Sequence, residues 1–276
     1  VTTSKPFETP DGFAVENPII LDNGKIIQVS AKKVESFLFQ RFSKQLVFEE
    51  EKLVNTNLVQ ENSRFERAVR LKNKTHVFVR QIGKAKEEAI SALEFSPEKL
   101  DFVGGLQPLF QTSGRLKTYF REYEPTNYAA STLETYYFET SKDSSKFLYA
   151  YSVMTNDKNE EGKQLVGMHV YNENLKKQWG GEFEIPRFMN AMEYTLGNDG
   201  KVYMLAMVYD DKTKGERKKN EKENSAYHFE LLIYDKDTKE PKIVQLNTDN
   251  YFPSQASIDQ DEMGNILVIG FYSKDV

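Results

Sequence analysis

One pattern, a polar turn followed by an apolar strand, recurs along this chain and restricts it to folds built from repeated β-sheets. The apolar strands begin near Lys25, Thr75, Lys146, Lys201 and Asn265. Each one follows a turn rich in Asp, Asn, Ser or Gly, as at residues 22–24 and 198–200. Asn-Gly and Asp-Gly steps adopt positive φ angles readily, so they favour tight hairpins. The spacing of roughly 50 to 70 residues predicts a repeat of several strands.

The fullest copy of the repeat covers residues 193–246. It contains a strand, an Asn-Asp-Gly turn, an apolar strand, a charged excursion, a third strand, a tight turn and a fourth strand. The repeat is therefore predicted to be a four-stranded antiparallel meander. Residues 87–95 (EEAISALEF) have a composition that favours helix. Their place in the repeat predicts a strand instead.

The segment FETSKDSSKFLYAYSV, residues 138–153, resembles a blade of the β-propeller superfamily. This resemblance implies an all-β fold, a β-propeller of four-stranded antiparallel blades with about four and a half blades. The alternative is a β-sandwich whose strands merely look alike. The resemblance selects no family, because the single tryptophan, Trp179, is followed by Gly180 and not by the Asp of a WD40 repeat. A kelch signature is not found either.

We expect residues 1–276 to form a single β-propeller domain, either complete or a fragment of a longer chain. The predicted blades cover residues 12–54, 65–103, 132–185, 189–247 and, in part, 254–276. N-terminal strands that join the partial blade would close the ring. The other alternative is that further blades lie outside this sequence. An unclosed propeller exposes strand edges, which proteins avoid.

The composition excludes several kinds of chemistry. The chain contains no cysteine, which excludes disulfides, thiol nucleophiles and thiolate metal sites. Its net charge of -5 gives no support to nucleic-acid binding. No apolar run reaches about 18 residues, so no membrane span is predicted. The polar start without Met is compatible with a mature exported protein, and we expect a bacterial periplasmic or extracellular location, with the cytoplasm left open.

The long insertions indicate where a binding site would lie. In a four-stranded meander, the turns after the first and third strands leave one face, and the other connections leave the opposite face. The first set of turns is short throughout, whereas the second set contains residues 104–131, 155–163 and 210–225. These three insertions should decorate the same face. Long loops on a rigid scaffold often carry binding sites, so this long-loop face is the predicted site.

The candidate binding residues of the long-loop face are basic or aromatic. They are Arg115, Lys117, Tyr119, Arg121, Tyr123, Arg217, Lys218 and Lys219. The first five alternate in residues 115–124, a pattern that could bind carbohydrate, peptide or nucleic acid. An ordinary two-faced strand gives the same pattern, and we favour the strand. The last three lie in the charged segment 214–224, which is either a solvated loop or a docking site for an anionic partner.

No catalytic residue, metal site or cofactor is predicted. His76, His169 and His228 lie in three separate predicted strands without the spacing of a zinc site, so buried or cross-strand positions are expected for them. The acidic segments 235–237 and 259–261 lack the pattern of a calcium loop, so they are predicted to be turns.

These observations predict a non-catalytic binding or assembly scaffold with a protein or glycan partner. The alternative is a hydrolase on the same fold, either a glycoside hydrolase or a lactonase-like enzyme, with its site in the central channel. Such an enzyme needs convergent carboxylates or a metal at the channel mouth. The fold alone does not decide between these two functions.

Overall fold

A computed structural model describes residues 11, 14–15, 18–32, 36–56, 63–83, 87–117, 119–121, 132–134, 136–154, 163–186, 188–209, 227–237, 240–246 and 252–273. These residues form 21 β-strands and no helix, so the predicted all-β class is confirmed. The strands belong to two compact units. Unit 1 contains Val1–Arg115 and Glu173–Leu175, and unit 2 contains Leu116–Asn172 and Lys176–Val276. That the whole chain is a single domain stays a prediction.

Unit 1 contains two antiparallel sheets. The first is ordered β1-β3-β4-β5, with β2 also paired to β3, and the second is ordered β6-β7-β8-β9. The strands are β1 (Ala14–Val15), β2 (Ile19–Ile20), β3 (Ile26–Lys32), β4 (Ser36–Phe42), β5 (Phe48–Asn55), β6 (Ser63–Leu71), β7 (Lys74–Ile82), β8 (Glu88–Ser96) and β9 (Asp101–Gln111). Ile19 pairs with Ile27 and is buried in the core of unit 1. Within the described residues, the N-terminal strands thus join the first sheet and not the last hairpin.

Unit 2 contains two four-stranded sheets and two hairpins. The sheets are ordered β12-β13-β14-β15 and β16-β17-β18-β19, and the hairpins are β10-β11 and β20-β21. The strands are β10 (Tyr119–Arg121), β11 (Thr132–Glu134), β12 (Tyr137–Thr140), β13 (Lys146–Ser152), β14 (Lys163–Asn172), β15 (Lys177–Pro186), β16 (Met189–Leu196), β17 (Val202–Tyr209), β18 (Tyr227–Tyr234), β19 (Lys242–Leu246), β20 (Phe252–Gln260) and β21 (Ile266–Ser273).

The order of the strands identifies the fold class. In the sheets β6–β9, β12–β15 and β16–β19, each strand pairs antiparallel with the next one along the chain. Successive four-stranded meanders are the blades of a β-propeller, and the chain has this fold. A β-sandwich would instead divide consecutive strands between two facing sheets. Residues 88–96, which include most of EEAISALEF, form the strand β8, so the strand prediction for them is confirmed. Within the described residues, no sheet closes on itself.

Several of the turns between a first and a second strand share a backbone position with positive φ. Gly24 and Gly200 occupy it with φ of 78° and 89°. The amide of each donates to the carbonyl three residues earlier, at 2.8 Å in both turns. Ser144 takes the same position with φ of 53°, although an L side chain there is strained. The Asn-Gly and Asp-Gly signals in the sequence therefore mark real left-handed positions.

Replacing Ser144 with glycine should raise the free energy of unfolding by about 0.5–1 kcal/mol, because relief of left-handed strain exceeds the entropy cost of glycine. Urea denaturation of the two proteins measures the difference. The matched control is Gly200→Ser, which places the same strain in an equivalent turn and should destabilise the chain. A Ser144→Gly variant less stable than the parent would contradict this explanation of the turn.

Each unit has its own core. In unit 1 the core consists largely of aromatic residues: Phe39 is fully buried, and its ring centroid lies 4.2 Å from that of Phe95. In unit 2 one cluster joins the two four-stranded sheets, and Trp179 packs against it. The Trp179 Nε1 donates to the Gly200 carbonyl at 2.8 Å. Trp179 is followed in the chain by Gly180, which has a φ of 131°. Packing of this tryptophan between blades beside a glycine kink is thus confirmed.

Candidate functional site

The predicted binding residues of the first long insertion lie in different environments. Arg115 is exposed and ends the main segment of unit 1. Lys117, in unit 2, is partly buried, and its Nζ donates to the Gln164 Oε1 at 2.8 Å. The backbone amide of Lys117 donates to the Ser152 carbonyl, also at 2.8 Å. Lys117 therefore has structural partners within unit 2.

The other predicted residues are described only in part. Tyr119 and Arg121 lie in β10, where the backbone pairs with Glu134 and Thr132 of β11. This agrees with a strand for that part of residues 115–124. Tyr123, Arg217, Lys218 and Lys219 lie outside the described residues. Protein or glycan binding by the long-loop face stays a prediction.

The three histidines have the settings expected of structural residues. His76 and His169 are buried, with 1% and 5% of their surface exposed. The Nε2 of His228 lies 3.2 Å from the Glu230 Oε1. Among the residues that the structure describes, no group of three His, Asp or Glu side chains could hold a metal ion.

A buried tyrosine–histidine–carboxylate chain crosses the sheet β12–β15. The Tyr151 hydroxyl donates to the Glu182 Oε1 at 3.2 Å and lies 3.1 Å from the His169 Nε2. Burial lowers the pKa of His169 to about 3, and the positive charge of Lys177 adds to the effect. Burial and the neighbouring Glu182 raise the pKa of Tyr151. Both side chains are therefore neutral near pH 7 and act as hydrogen-bonding groups of the blade.

Several carboxylates are also held by structural partners. Glu66 and Glu88 of unit 1 both contact the Arg80 guanidinium, at 3.6 and 3.5 Å. Glu193 on β16 accepts hydrogen bonds from the Ser257 hydroxyl at 2.8 Å and from the Ile258 amide at 2.9 Å. The Glu193 carboxylate thus anchors β20 to the neighbouring sheet of unit 2.

An ion pair and an apolar contact also hold this hairpin. Lys142 contacts Asp259 on β20 at 2.9 Å, and this hydrogen bond lowers the pKa of Asp259. On the other face, Ile258 is buried in a cluster with residues of β17 and β18, and Ile266 packs against that cluster. The β20–β21 hairpin is therefore held in unit 2 by the face that carries Ile258 and Ile266, and by polar contacts of β20.

The opposite face of this hairpin carries an exposed apolar row on β21. We define the β21 row as Leu267, Ile269 and Phe271, which alternate along the strand and so share one face. Their exposed fractions are 44%, 63% and 69%. The β20 residues opposite them are the polar Asp259, Ser257 and Gln255.

The exposure of the β21 row is unusual for a second strand. The second strands of the other sheets, β3, β7, β13 and β17, are each mostly buried. They have a partner strand on both sides. In the part of the chain that the structure describes, β21 pairs only with β20. Within the described residues, the outer edge of β21 and the exposed Leu267 and Ile269 lie together, which makes them the candidate site.

Sequence reasoning detected the partial blade but not this surface. The segment ILVIGFYS is as apolar as the other second strands, and in those strands the same pattern corresponds to burial. The difference lies in the pairing: among the described residues β21 pairs only with β20, whereas β13 has a partner on both sides.

No family model and no curated protein matches the sequence. The chain is similar in fold to an endo-arabinanase from Bacillus licheniformis, with 12% identity, 95% of each chain covered and a TM-score of 0.37. It is also similar to the Dos1 propeller (10% identity, 95% of this chain and 67% of that one, TM-score 0.39). A mutant of the Synechocystis apocarotenoid oxygenase matches with 8% identity, 96% of this chain, 58% of that one and a TM-score of 0.41. Similarity at this level carries no argument about function.

The part of the chain that the structure describes contains no helix that could cross a membrane.

Proposed function

We propose that this protein is a non-catalytic binding scaffold whose partner is a polypeptide that adds an extended strand to the edge of β21. The observation that carries the proposal is the exposure of the β21 row on a strand whose equivalents are buried. An unpaired edge offers backbone N–H and C=O groups, and an extended peptide binds such an edge through main-chain hydrogen bonds. Apolar side chains of the added strand would cover Leu267 and Ile269.

The other sheets indicate what kind of strand would fit. In the sheet β16–β19, the second strand β17 pairs antiparallel with β18, whose sequence is YHFELLIY. The β18 residues Phe229 and Leu232 are buried on opposite faces. A partner strand with apolar side chains on both faces is therefore the expected ligand. Glu193 anchors β20, so we expect the hairpin that accepts the strand to be rigid. A rigid acceptor lowers the entropy cost of binding.

Three carboxylates of the described residues are held by structural partners. A glycoside hydrolase needs an acid and a second carboxylate on either side of the scissile bond. Glu66 and Glu88 share Arg80, and Glu193 binds β20, so each of the three has a structural partner. The hydrolase alternative stays a prediction.

A labelled peptide with the sequence of residues 227–236, YHFELLIYDK, tests the proposal by fluorescence anisotropy. We expect saturable binding, and we expect Ile269→Lys to weaken it at least about tenfold, because burial of an Ile side chain contributes about 1.5–3 kcal/mol. Ile243→Lys is the matched control: Ile243 is 53% exposed on β19, and its replacement should leave binding unchanged.

A peptide with proline in place of Leu231 is the second control, since proline removes a backbone donor and should not pair. Equal binding of the parent and Ile269→Lys proteins would overturn the proposal. Sedimentation of the chain alone tests a different occupant. Self-association that Ile269→Lys abolishes would mean that a second copy covers the β21 row.

A periplasmic or extracellular location in a bacterium is part of the same proposal. A chain without cysteine is compatible with an export route in which disulfides are not used. Fractionation of cells that express the native gene tests the location.

A further inference from the structure

The strand β21 contains a glycine at a position where the other second strands carry a side chain. Each second strand follows a turn in which one residue has a positive φ. These turn residues are Gly24, Lys72, Ser144, Gly200 and Gly264. The residues six places further along the chain are Ser30, Phe78, Ala150, Ala206 and, in β21, Gly270.

The residue at this position differs in size from its partner in each of the four sheets that have a third strand. The pairs are Ser30 with Leu38, Phe78 with Ala92, Ala150 with Met168, and Ala206 with Glu230. A small side chain thus faces a large one every time, and all of these side chains except Glu230 are buried. Directly opposed side chains share one space, so a small residue leaves room for a large partner. A strand that pairs with β21 should therefore carry a large residue opposite Gly270.

The backbone of β20 explains why this residue is a glycine. Gly270 pairs with Ala256, which packs against the same cluster as Ile258. A Cβ added to Gly270 would lie 2.9 Å from the Gln255 carbonyl oxygen, which is too close for an unstrained side chain. The position opposite a third strand is therefore left without a side chain of its own.

The surface beside Gly270 is open in the described part of the chain. Gly270 itself is exposed. Val268 and Tyr272 lie two residues away on the same face and are 36% and 62% exposed. We define the space over Gly270 between these two side chains as the Gly270 notch.

The sheet β12–β15 contains a glycine whose cross-strand partner is aromatic. Tyr151 on β13 pairs with Gly167 on β14. A Cβ added to Gly167 would overlap the Tyr151 ring, so the ring lies directly over the glycine. Tyr151 is 2% exposed. An aromatic side chain can thus cover the bare backbone of a glycine on the next strand, which stabilises the pairing.

From these observations we infer that the strand accepted by β21 carries an aromatic side chain opposite Gly270, and that this glycine determines which strands bind. The inference rests on the proposed function, since it specifies the partner of the same edge. The ring would fill the Gly270 notch and contact Val268 and Tyr272. A charged side chain at this position would instead lie against apolar groups.

The peptide YHFELLIYDK, residues 227–236, has a defined register for the test. In β17 the equivalent of Gly270 is Ala206, which pairs with Glu230. The same pairing on β21 places Glu230 of the peptide opposite Gly270. Replacement of this one peptide residue therefore changes the side chain at the Gly270 notch.

Fluorescence anisotropy of this peptide and of its Glu230→Phe and Glu230→Leu variants tests the inference. We expect the Phe peptide to bind at least about tenfold more tightly than the unmodified peptide, because an apolar ring replaces a carboxylate. The Leu peptide is the matched control for apolar character. It should bind at least about threefold more weakly than the Phe peptide, because it does not cover the glycine with a ring.

The Gly270 Hα resonances report where the ring binds. A ring that lies over the glycine shifts them upfield, and we expect a larger upfield shift with the Phe peptide than with the Leu peptide. Equal affinities of these two peptides, or equal Gly270 shifts, would overturn the inference and leave the strand-acceptor function standing. If none of the three peptides binds, the proposed function fails and the inference fails with it.

Discussion

Replacing Gly180 with alanine should lower the free energy of unfolding of unit 2 by more than about 3 kcal/mol, because two penalties coincide. Gly180 has a φ of 131°, which L residues rarely adopt. An added Cβ would also lie 2.3 Å from the Met168 carbonyl oxygen and 2.7 Å from the His169 Cα. These are backbone atoms of the adjacent strand β14, so the clash is relieved only by displacing the ladder between β14 and β15.

Urea denaturation followed by tryptophan fluorescence measures this effect, since Trp179 is the only tryptophan and adjoins the substituted residue. The matched control is Gly181→Ala, at the next position of β15, where a Cβ meets open space. It should change the stability by less than about 0.5 kcal/mol, as ordinary surface substitutions do. A Gly180→Ala variant within about 1 kcal/mol of Gly181→Ala would show that the kink at Gly180 is not required.

Phe39→Ala should destabilise unit 1 by about 3–5 kcal/mol, the usual loss for a fully buried phenylalanine. Phe39 is completely buried, and its ring lies against Phe95 at 4.2 Å and Phe102 at 5.4 Å between centroids. Its removal leaves a cavity that the rigid strands on both sides cannot close.

Far-UV circular dichroism during urea denaturation measures the loss for Phe39→Ala. Phe48→Ala is the matched control, because Phe48 is 46% exposed on β5 and should contribute less than half as much. Equal losses for the two variants would contradict the assignment of Phe39 to the centre of the unit 1 core.

The blades could be predicted from the sequence because their signals are local. At Gly24 and Gly200, an Asn-Gly or Asp-Gly step is followed directly by an apolar strand. These few residues are enough to predict a hairpin. Turns with a positive φ but without such residues are harder to predict from the sequence. Leu46, Leu100 and Leu175 all take positive φ, and a leucine gives no hint of it. Leu100 and Leu175 are buried, so packing offsets the strain.

The sites depend on contacts that a single sequence does not reveal. His76 meets the carbonyl of Glu173, which is 97 residues away in the chain. The repeat pattern predicts that residues 104–131 form an insertion, but Gly104 and Gly105 lie in a bulge of β9. For the β21 row, the residues alone predict burial, as in β13. Only the pairing of the strand shows that Ile269 is exposed.

Hydrogen–deuterium exchange at the backbone amides of β21 is the most direct test of the proposed function. In the free protein, the β21 amides that point away from β20 should exchange fast, and those of β17, which is paired on both sides, slowly. Addition of the peptide YHFELLIYDK should slow exchange in β21 and leave the outer strand β19 unchanged. If β21 stays unprotected with the peptide bound, or is already protected without it, the strand-acceptor account of this protein is wrong.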